Sequence, residues 1–254
     1  MKYFLAILAI FKNESMIIQE WIEHHLWQGV EHFYLIDNGS NDNYLEILQP
    51  YIDKNIVTLY YLPEKYKQTE HYNYVFNKIK NDIKWLAIID IDEYLYGKDD
   101  TLVEYLKSIK REDIMMIITF WCVFGSNGHI NHPKSIRNDF TKRSELIEKT
   151  CFSKSIISCL DEYETVAMHA HRYKPFKYSG NDRIIINPDD IRINHYQILS
   201  KEYFEKVKMN RGDVIIVERD NNYRTWEYFN SIDVTCKIDD YFLSDLVKNG
   251  YTKK

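Results

Sequence analysis

Glycine is scarce in this chain: its 254 residues include 8 glycines, and the first is Gly29. A loop that cradles phosphates near the N-terminus depends on glycines, which allow the backbone to approach the phosphate oxygens closely. The segment before residue 29 contains no such loop. This absence counts against the enzymes that synthesise sugar nucleotides, although those enzymes share a strand–helix–strand start.

Cysteine, basic charge and long apolar runs are also limited. Four cysteines form no C-x-x-C pair, so we expect free thiols in a reducing, cytoplasmic compartment. A net charge of −5 gives no overall basic field for nucleic acid. No run approaches the roughly 20 apolar residues of a membrane span. The apolar start, Tyr3–Phe11, is followed by Lys12–Glu14 rather than by small residues, so we interpret it as a core strand and not as a signal peptide.

The first half of the chain alternates strand-like and helix-like patterns. Apolar runs predict strands at 3–11, 32–36, 56–62 and 85–90. Helical spacing predicts helices between them: one capped by Ser15 and ended by Gly29, one ending at Pro50, and one over 70–83. This order predicts a parallel, doubly wound α/β sheet.

The second half is less regular, and we expect it to extend the same single domain, 1–254. Thr101 and Glu104 form a predicted capping box, and Ser200 is predicted to cap a helix that ends near Gly212. Apolar runs predict strands at 114–124, 166–171, 184–186 and 191–196.

The most informative stretch runs from Trp85 to Tyr94 and contains Asp90, Asp92 and Glu93 at the end of an apolar run. Side chains two residues apart on an extended segment point to the same side. Asp90 and Asp92 could therefore face one site at the carboxyl end of a buried strand, where open α/β sheets bind ligands. Carboxylates suit Mg²⁺ or Mn²⁺, which often also take phosphate oxygens of a substrate. An acidic pair in a solvated turn would give the same spacing.

The order of several motifs resembles glycosyltransferases of the GT-A fold, family 92 and the related family-2-like group. The resemblance runs over about four-fifths of the chain, and these segments carry it: 11–14 (FKNE), 20–25 (EWIEHH), 29–30, 37–42 (DNGSND), 90–94 (DIDEY), 121–129 (WCVFGSNGH), 193–196 (INHY) and the lysine-rich helix before Arg211. The resemblance implies a GT-A type, mostly parallel sheet with an elaborated, mixed second half. It also implies a nucleotide-sugar-binding half, 1–97, and an acceptor-side half, 98–254.

The resemblance further implies inverting transfer of a hexose from a nucleotide-sugar, a UDP-sugar, to a hydroxyl of a glycan, assisted by Mn²⁺ or Mg²⁺. The candidate residues for metal and donor follow from the matched motifs: Asp90, Asp92 and His195 at the metal, with Asp90 also near the ribose; Asn13 and Glu14 near base and ribose; Asp37 at the uracil N–H; and His71 at the diphosphate. An aspartate at position 37 is equally typical of a turn, and a histidine at a strand end is often structural.

Inverting transfer needs a base within reach of the acceptor hydroxyl, and no family motif for it is present at the expected place. His129 is our first candidate, since a histidine exchanges protons near neutral pH. Asp182, in another polar loop, is the second. Trp121 and Phe124 either stack on an acceptor sugar or belong to the core. His169 and His171 are assigned to packing and acceptor contact.

Two alternatives stay open: a sugar nucleotidyltransferase, and a catalytically idle carbohydrate-binding scaffold on the same fold. The intact set of Asp90, Asp92 and His195 argues against the scaffold. We expect Lys201, Lys206, Lys208 and Arg211 to form a solvated helix face, with peripheral contact to a membrane carrying acceptor glycans as the other interpretation.

Overall fold

The computed structural model describes residues 1–145, 153–160, 163–167, 172–173, 181–211 and 224–251. Within these ranges the strands are β1 (Tyr3–Phe11), β2 (His32–Asp37), β3 (Val57–Tyr61), β4 (Ile83–Ile88), β5 (Glu93–Gly97), β6 (Met116–Val123), β7 (Lys142–Arg143), β8 (Ser153–Ser158), β9 (Tyr163–Thr165), β10 (Arg172–Tyr173), β11 (Ile184–Ile186), β12 (Ile191–His195) and β13 (Ile238–Asp239). The helices are α1 (Ile18–Trp27), α2 (Tyr44–Asp53), α3 (Gln68–Ile79), α4 (Leu102–Ser108), α5 (Ile136–Asp139), α6 (Lys201–Tyr203), α7 (Trp226–Asp233) and α8 (Phe242–Asn249). Short 3₁₀ turns cover Lys80–Asp82 and Asn181–Arg183, and a π-helical turn covers Phe204–Lys208.

One sheet of nine strands passes through both halves of the described chain. Its order is β3-β2-β1-β4-β8-β6-β12-β5, and β11 pairs with β6. The first four strands in this order are parallel to one another, β8 is antiparallel to both of its neighbours, and β5 is antiparallel to β12. The predicted fold class is confirmed: an α/β protein with a mostly parallel sheet and a mixed second half.

The buried strands explain the near-continuous apolar runs of the first half. Both faces of β1 are covered, since one set of its side chains packs with Trp21 of α1 and the alternate set packs with Phe76 of α3. A strand that is buried on both faces shows no polar alternation. Gly29 ends the turn after α1 with φ +87°, and a Cβ there would lie 2.3 Å from Cγ1 of Val103.

Two helix predictions needed correction. Ser15 does not cap α1; its N–H donates to Oδ2 of Asp42, and the N-cap position belongs to Ile17. Helix α2 continues through Pro50 to Asp53. Proline removes one intrahelical hydrogen bond, and here the carbonyl it would leave unpaired belongs to exposed Glu46, where water can replace that bond.

Other local predictions match the structure. The Thr101 hydroxyl accepts the N–H of Glu104, and the Ser200 hydroxyl accepts the N–H of Tyr203. The strand predicted at 166–171 is not found at 166–167, because β9 ends at Thr165. The remainder of that segment, with His169 and His171, lies outside the described residues, as do Cys151 and Gly212. No helix in the described part is long and apolar enough to cross a bilayer.

Candidate active site

The sheet brings the predicted polar residues to one edge. Strands β1, β2, β4 and β12 run in the same direction, so their carboxyl ends share a rim. Glu14 follows β1, Asp37 ends β2, Asp92 follows β4 and His195 ends β12. The antiparallel strand β8 starts at this rim and brings Lys154 to it. Open α/β sheets bind ligands at such an edge.

Asp92 lies at the centre of this rim and is almost fully buried, with 4% exposure. Its Oδ2 accepts a hydrogen bond from the ammonium of Lys208, and its Oδ1 lies 3.6 Å from Nε2 of His195. Burial alone would raise the pKa of Asp92, but the charge of Lys208 and the contact with His195 hold it well below its usual value. Asp92 is therefore a buried carboxylate that keeps its charge.

Asp90 has a different partner. Its Oδ2 lies 2.8 Å from Nζ of Lys154, which also lies 3.3 Å from Oε2 of Glu93. The N–H of Asp90 donates to the same oxygen of Glu93 at 2.8 Å. Burial raises the pKa of Glu93 well above its usual value, although Lys154 acts against this. Of these three side chains, only that of Asp90 has appreciable exposure, 27%.

Glu14 is the third buried carboxylate at the rim. It accepts hydrogen bonds from the hydroxyl of Tyr203 and from the guanidinium of Arg211. Burial raises the pKa of Glu14, and the nearby charges of Arg211 and Lys208 oppose that shift. The segment from Tyr203 to Arg211 therefore crosses the rim and contacts both Glu14 and Asp92.

Asn13 and Asp37 hold the rim loops in place. Asn13, with φ +57°, donates its N–H to Oγ of Ser40 at 2.9 Å, and its Oδ1 accepts the N–H of Asn41 at 2.8 Å. Asp37 accepts the N–H of Ser40 and the hydroxyl of Tyr44, each at 2.7 Å. Asp37 thus makes turn-forming contacts, and its predicted contact with a base stays a prediction.

Two histidines have contacts that fix their rings. Nε2 of His71, on α3, lies 3.3 Å from Oε2 of Glu64. Nε2 of His129 lies 3.0 Å from the carbonyl oxygen of Asp139, so a backbone contact orients this candidate base.

Asp182 is not brought to the rim. It precedes β11, whose Ile184 pairs with Met116, whereas His195 pairs with Val123 of the same neighbouring strand, β6. Seven residues of strand span about 23 Å. Asp182 is exposed at the opposite end of the sheet.

The predicted solvated helix face is partly wrong. Lys201 and Lys206 are exposed, but Lys208 is 2% exposed and the side chain of Arg211 is 20% exposed. The two basic residues pair with buried carboxylates instead of facing water. A signal was available: each follows a buried apolar residue, Phe204 or Val207, by four positions, which is the spacing of one helix face.

Lys154 was not predicted as a site residue, and the contact of Trp121 with His195 was not predicted either. Lys154 lies in none of the matched motifs. The ring of Trp121 packs on His195 with centroids 4.1 Å apart, and Nζ of Lys154 lies 5.9 Å from the Trp121 ring centroid. Phe124 is 1% exposed and packs on Tyr196, so it belongs to the core.

The residues present fit a divalent cation that completes its coordination with a substrate. Two atoms bound at about 2.1 Å to one ion are at most about 4.2 Å apart, and Oδ1 of Asp92 and Nε2 of His195 are within that limit at 3.6 Å. No group of three or more potential ligands is formed by the described residues. Magnesium-like ions are often held by one or two protein ligands with phosphate oxygens supplying others. Asp90 is engaged by Lys154 and lies outside this pair.

The fold is that of an α/β protein, and its rim of buried carboxylates and cations lies at the edge where open α/β sheets bind ligands. A model of glycosyltransferase family 92 matches residues 5–235. The chain therefore belongs to glycosyltransferase family 92, as its motifs indicated.

Several relatives and solved structures are similar to this chain. A family 92 protein of Oryza sativa subsp. japonica is 26% identical over 208 residues, which are 79% of this chain and 34% of that protein. One of Ricinus communis is 22% identical over 227 residues, 85% of this chain and 39% of that protein. The chain thus spans well under half the length of these curated relatives. The crystal structure of S. aureus TarS 1–349 in complex with UDP-GlcNAc is 12% identical with a TM-score of 0.49, covering 98% of this chain and 75% of that one.

Proposed function

We propose that this chain is a metal-dependent, inverting glycosyltransferase that moves a hexose from a UDP-sugar to a hydroxyl of a glycan. Family membership supports the reaction class. The observation that supports the proposal is the pair formed by Asp92 and His195, whose Oδ1 and Nε2 lie 3.6 Å apart at the rim where the parallel strands end. A hydroxyl of a glycan is the acceptor that the family resemblance implies.

Transfer leaves a nucleoside diphosphate, whose developing negative charge must be stabilised. Asp92 and His195 would hold Mn²⁺ or Mg²⁺, which acts as a Lewis acid on that diphosphate. His195 favours Mn²⁺ over Mg²⁺, because imidazole is a better ligand for Mn²⁺ than for Mg²⁺. Asp92 suits this task because it stays charged while buried, and Trp121 fixes the His195 ring from one side.

The other rim residues would bind the donor. Asp90 is kept in place by Lys154 and is exposed enough to accept a hydrogen bond from a ribose hydroxyl. Asn13, Glu14 and Asp37 would surround the nucleoside, and His71 is the candidate contact to the diphosphate. These roles rest on the matched motifs.

On the acceptor side, His129 stays the candidate base, because Asp182 lies at the far end of the sheet. Contact with a membrane that bears the acceptor would use the exposed Lys201 and Lys206.

The test is turnover of a panel of UDP-hexoses with Mn²⁺ and with EDTA, for the wild type and for Asp92→Asn. We expect hydrolysis or transfer only with Mn²⁺, and a loss of at least about a hundredfold in Asp92→Asn, the size seen when one charge-stabilising group is removed. Asp113→Asn is the matched control, since that carboxylate is 54% exposed and lies before β6. Unchanged turnover in Asp92→Asn would refute the role of Asp92.

The same panel separates the alternatives. Binding of UDP-sugars with no turnover for any acceptor would indicate the idle scaffold. Turnover that depends on pyrophosphate would indicate the nucleotidyltransferase.

A further inference from the structure

Lys208 is a buried cation without an assigned role. It is 2% exposed, and its ammonium donates to Oδ2 of Asp92, the carboxylate proposed to hold the metal. Moving a charged amine out of water is costly unless it is paired. A methionine or leucine would fill the same position at lower cost, so a buried lysine here calls for a use that an apolar side chain cannot serve.

Charges of both signs act on Lys208. Burial and the charges of Arg211 and Arg224 lower the pKa of Lys208, while Asp92 and Glu14 act in the opposite direction. Arg211 is itself held by Glu14. Cations that repel one another at short range are stabilised by an anion, and phosphate oxygens accept strong hydrogen bonds from lysine and arginine.

The backbone that carries Lys208 is also unusual. It ends a π-helical turn, Phe204–Lys208, in which the N–H of Met209 donates to the carbonyl of Phe204 at 2.9 Å. Single π-turns are uncommon and often occur at functional sites. The turn sets Lys208 against Asp92 while Tyr203, just before it, contacts Glu14.

We propose that Lys208 exchanges partners during the reaction: it neutralises Asp92 in the free protein, and it binds the diphosphate of the donor once a divalent cation has taken Asp92. This inference rests on the proposed function. Both partners carry negative charge, so Lys208 remains paired throughout. The exchange would couple metal binding to donor binding, because each requires Lys208 to leave Asp92.

The exchange predicts opposite effects on two ligands. In Lys208→Gln, the cation that binds Asp92 is removed, so Mn²⁺ should bind the nucleotide-free protein more tightly, by about tenfold. UDP should bind about tenfold more weakly, because a charge-assisted hydrogen bond is lost. If Lys208 only supported the fold, its substitution would weaken the binding of both ligands.

The variant Asp92→Asn provides the most discriminating measurement. It releases Lys208 from its carboxylate, so UDP binding measured in EDTA should become tighter than in the wild type, by several-fold. In Mn²⁺ the same variant should bind UDP more weakly, because a metal ligand is missing. The double variant Asp92→Asn with Lys208→Gln should not show the tighter UDP binding in EDTA.

We would measure the Kd of Mn²⁺ by electron paramagnetic resonance and the Kd of UDP by calorimetry, in EDTA and in Mn²⁺. Lys206→Gln is the control, since Lys206 is 63% exposed and lies on the same segment. The double variant removes both charges, and a buried site tolerates the loss of both better than a single unpaired charge. It therefore keeps the test possible if Lys208→Gln does not fold.

The outcomes distinguish this inference from the proposed function. Tighter UDP binding by Asp92→Asn in EDTA supports the competition of Asp92 and the diphosphate for Lys208. If Mn²⁺ then had no effect on the wild type, the metal would be removed both from the exchange and from the proposed function. Unchanged or weaker UDP binding by Asp92→Asn in EDTA, or equal UDP affinity in Lys208→Gln and the wild type, would overturn the exchange.

Discussion

The two halves of the chain bring opposite charges to the same edge of the sheet. The buried carboxylates there, Glu14, Asp92 and Glu93, all precede residue 98, whereas their cationic partners, Lys154, Lys208 and Arg211, all follow it. Each ion pair therefore joins a residue of the first half to one of the second. The site is assembled only when both halves are folded against each other.

Ion pairs elsewhere in the molecule have a different character. Glu20 and Arg137, 3.1 Å apart, also join the two halves, but each side chain is 17% exposed and Glu20 also accepts backbone N–H groups at the start of α5. The hydrogen bonds of that carboxylate are supplied by donors that are fixed in the fold. Each rim carboxylate pairs with a long cationic side chain, which can move to another anion.

The largest expected effect tests whether the rim pairs stabilise the fold. Lys154→Met removes the cation that lies 2.8 Å from Asp90 and 3.3 Å from Glu93. Removing one partner of a buried ion pair costs about 3–5 kcal/mol, because the remaining charge is left unpaired. Urea unfolding should show this loss, and adding Glu93→Gln should recover part of it.

The control for that experiment is Lys107→Met, which breaks the exposed pair of Lys107 and Glu104. Exposed pairs of this kind contribute little to stability, because solvent screens them. If Lys154→Met were no more destabilising than this control, the rim pair would not have the energetic role that its burial indicates.

A smaller effect is expected at the structural pair. Glu20→Gln replaces a carboxylate that accepts the N–H of Ile136 at 2.6 Å and the hydroxyl of Ser135 at 2.8 Å. Hydrogen bonds to a charged group contribute about 1.5–3 kcal/mol, so we expect a loss of about 2 kcal/mol in thermal unfolding. UDP affinity should not change, and a change in UDP affinity would show that the two kinds of pair are not separate.

The carboxylate side of the rim could be predicted from sequence, and the cation side could not. Asp90, Asp92 and Glu14 follow apolar strands in a regular alternation of strand and helix, and that pattern fixes which edge they share. His195 was found because it lies in a matched motif. The parallel order of β3, β2, β1 and β4 followed from the same alternation.

Lys154, Lys208 and Arg211 were missed for a physical reason. Basic residues on a helix are usually solvated, and that expectation outweighed the spacing of Lys208 and Arg211 from buried apolar residues. Their pairing with Asp92 and Glu14 belongs to the tertiary structure. Lys154 lies on β8, a strand inserted antiparallel between β4 and β6. Long-range pairings of this kind leave no local pattern in the sequence.

The smallest expected effect is a dependence on pH, and it separates Glu14 from Asp92. The pKa of Glu14 is raised by burial, so its folded-state value exceeds its unfolded value. Its contribution to stability is therefore fully present below the unfolded pKa, about 4.3, and is lost as the pH rises through the folded pKa. Asp92 has the opposite sign: its lowered pKa stabilises the fold above the unfolded value, about 3.9, and that stability is lost as the pH falls.

Glu14→Gln should therefore remove a decline in stability that the wild type shows as the pH rises above about 4.3, each pKa unit of the original shift corresponding to about 1.4 kcal/mol. Thermal unfolding from pH 4 to pH 8 measures this difference, and Glu112→Gln, an exposed glutamate, is the matched control. The difference in stability between the wild type and Glu14→Gln should change with rising pH, while the difference between the wild type and the control should stay constant. If Glu14→Gln instead lost stability relative to the wild type as the pH rose, the attraction of Arg211 would outweigh the cost of burial at Glu14.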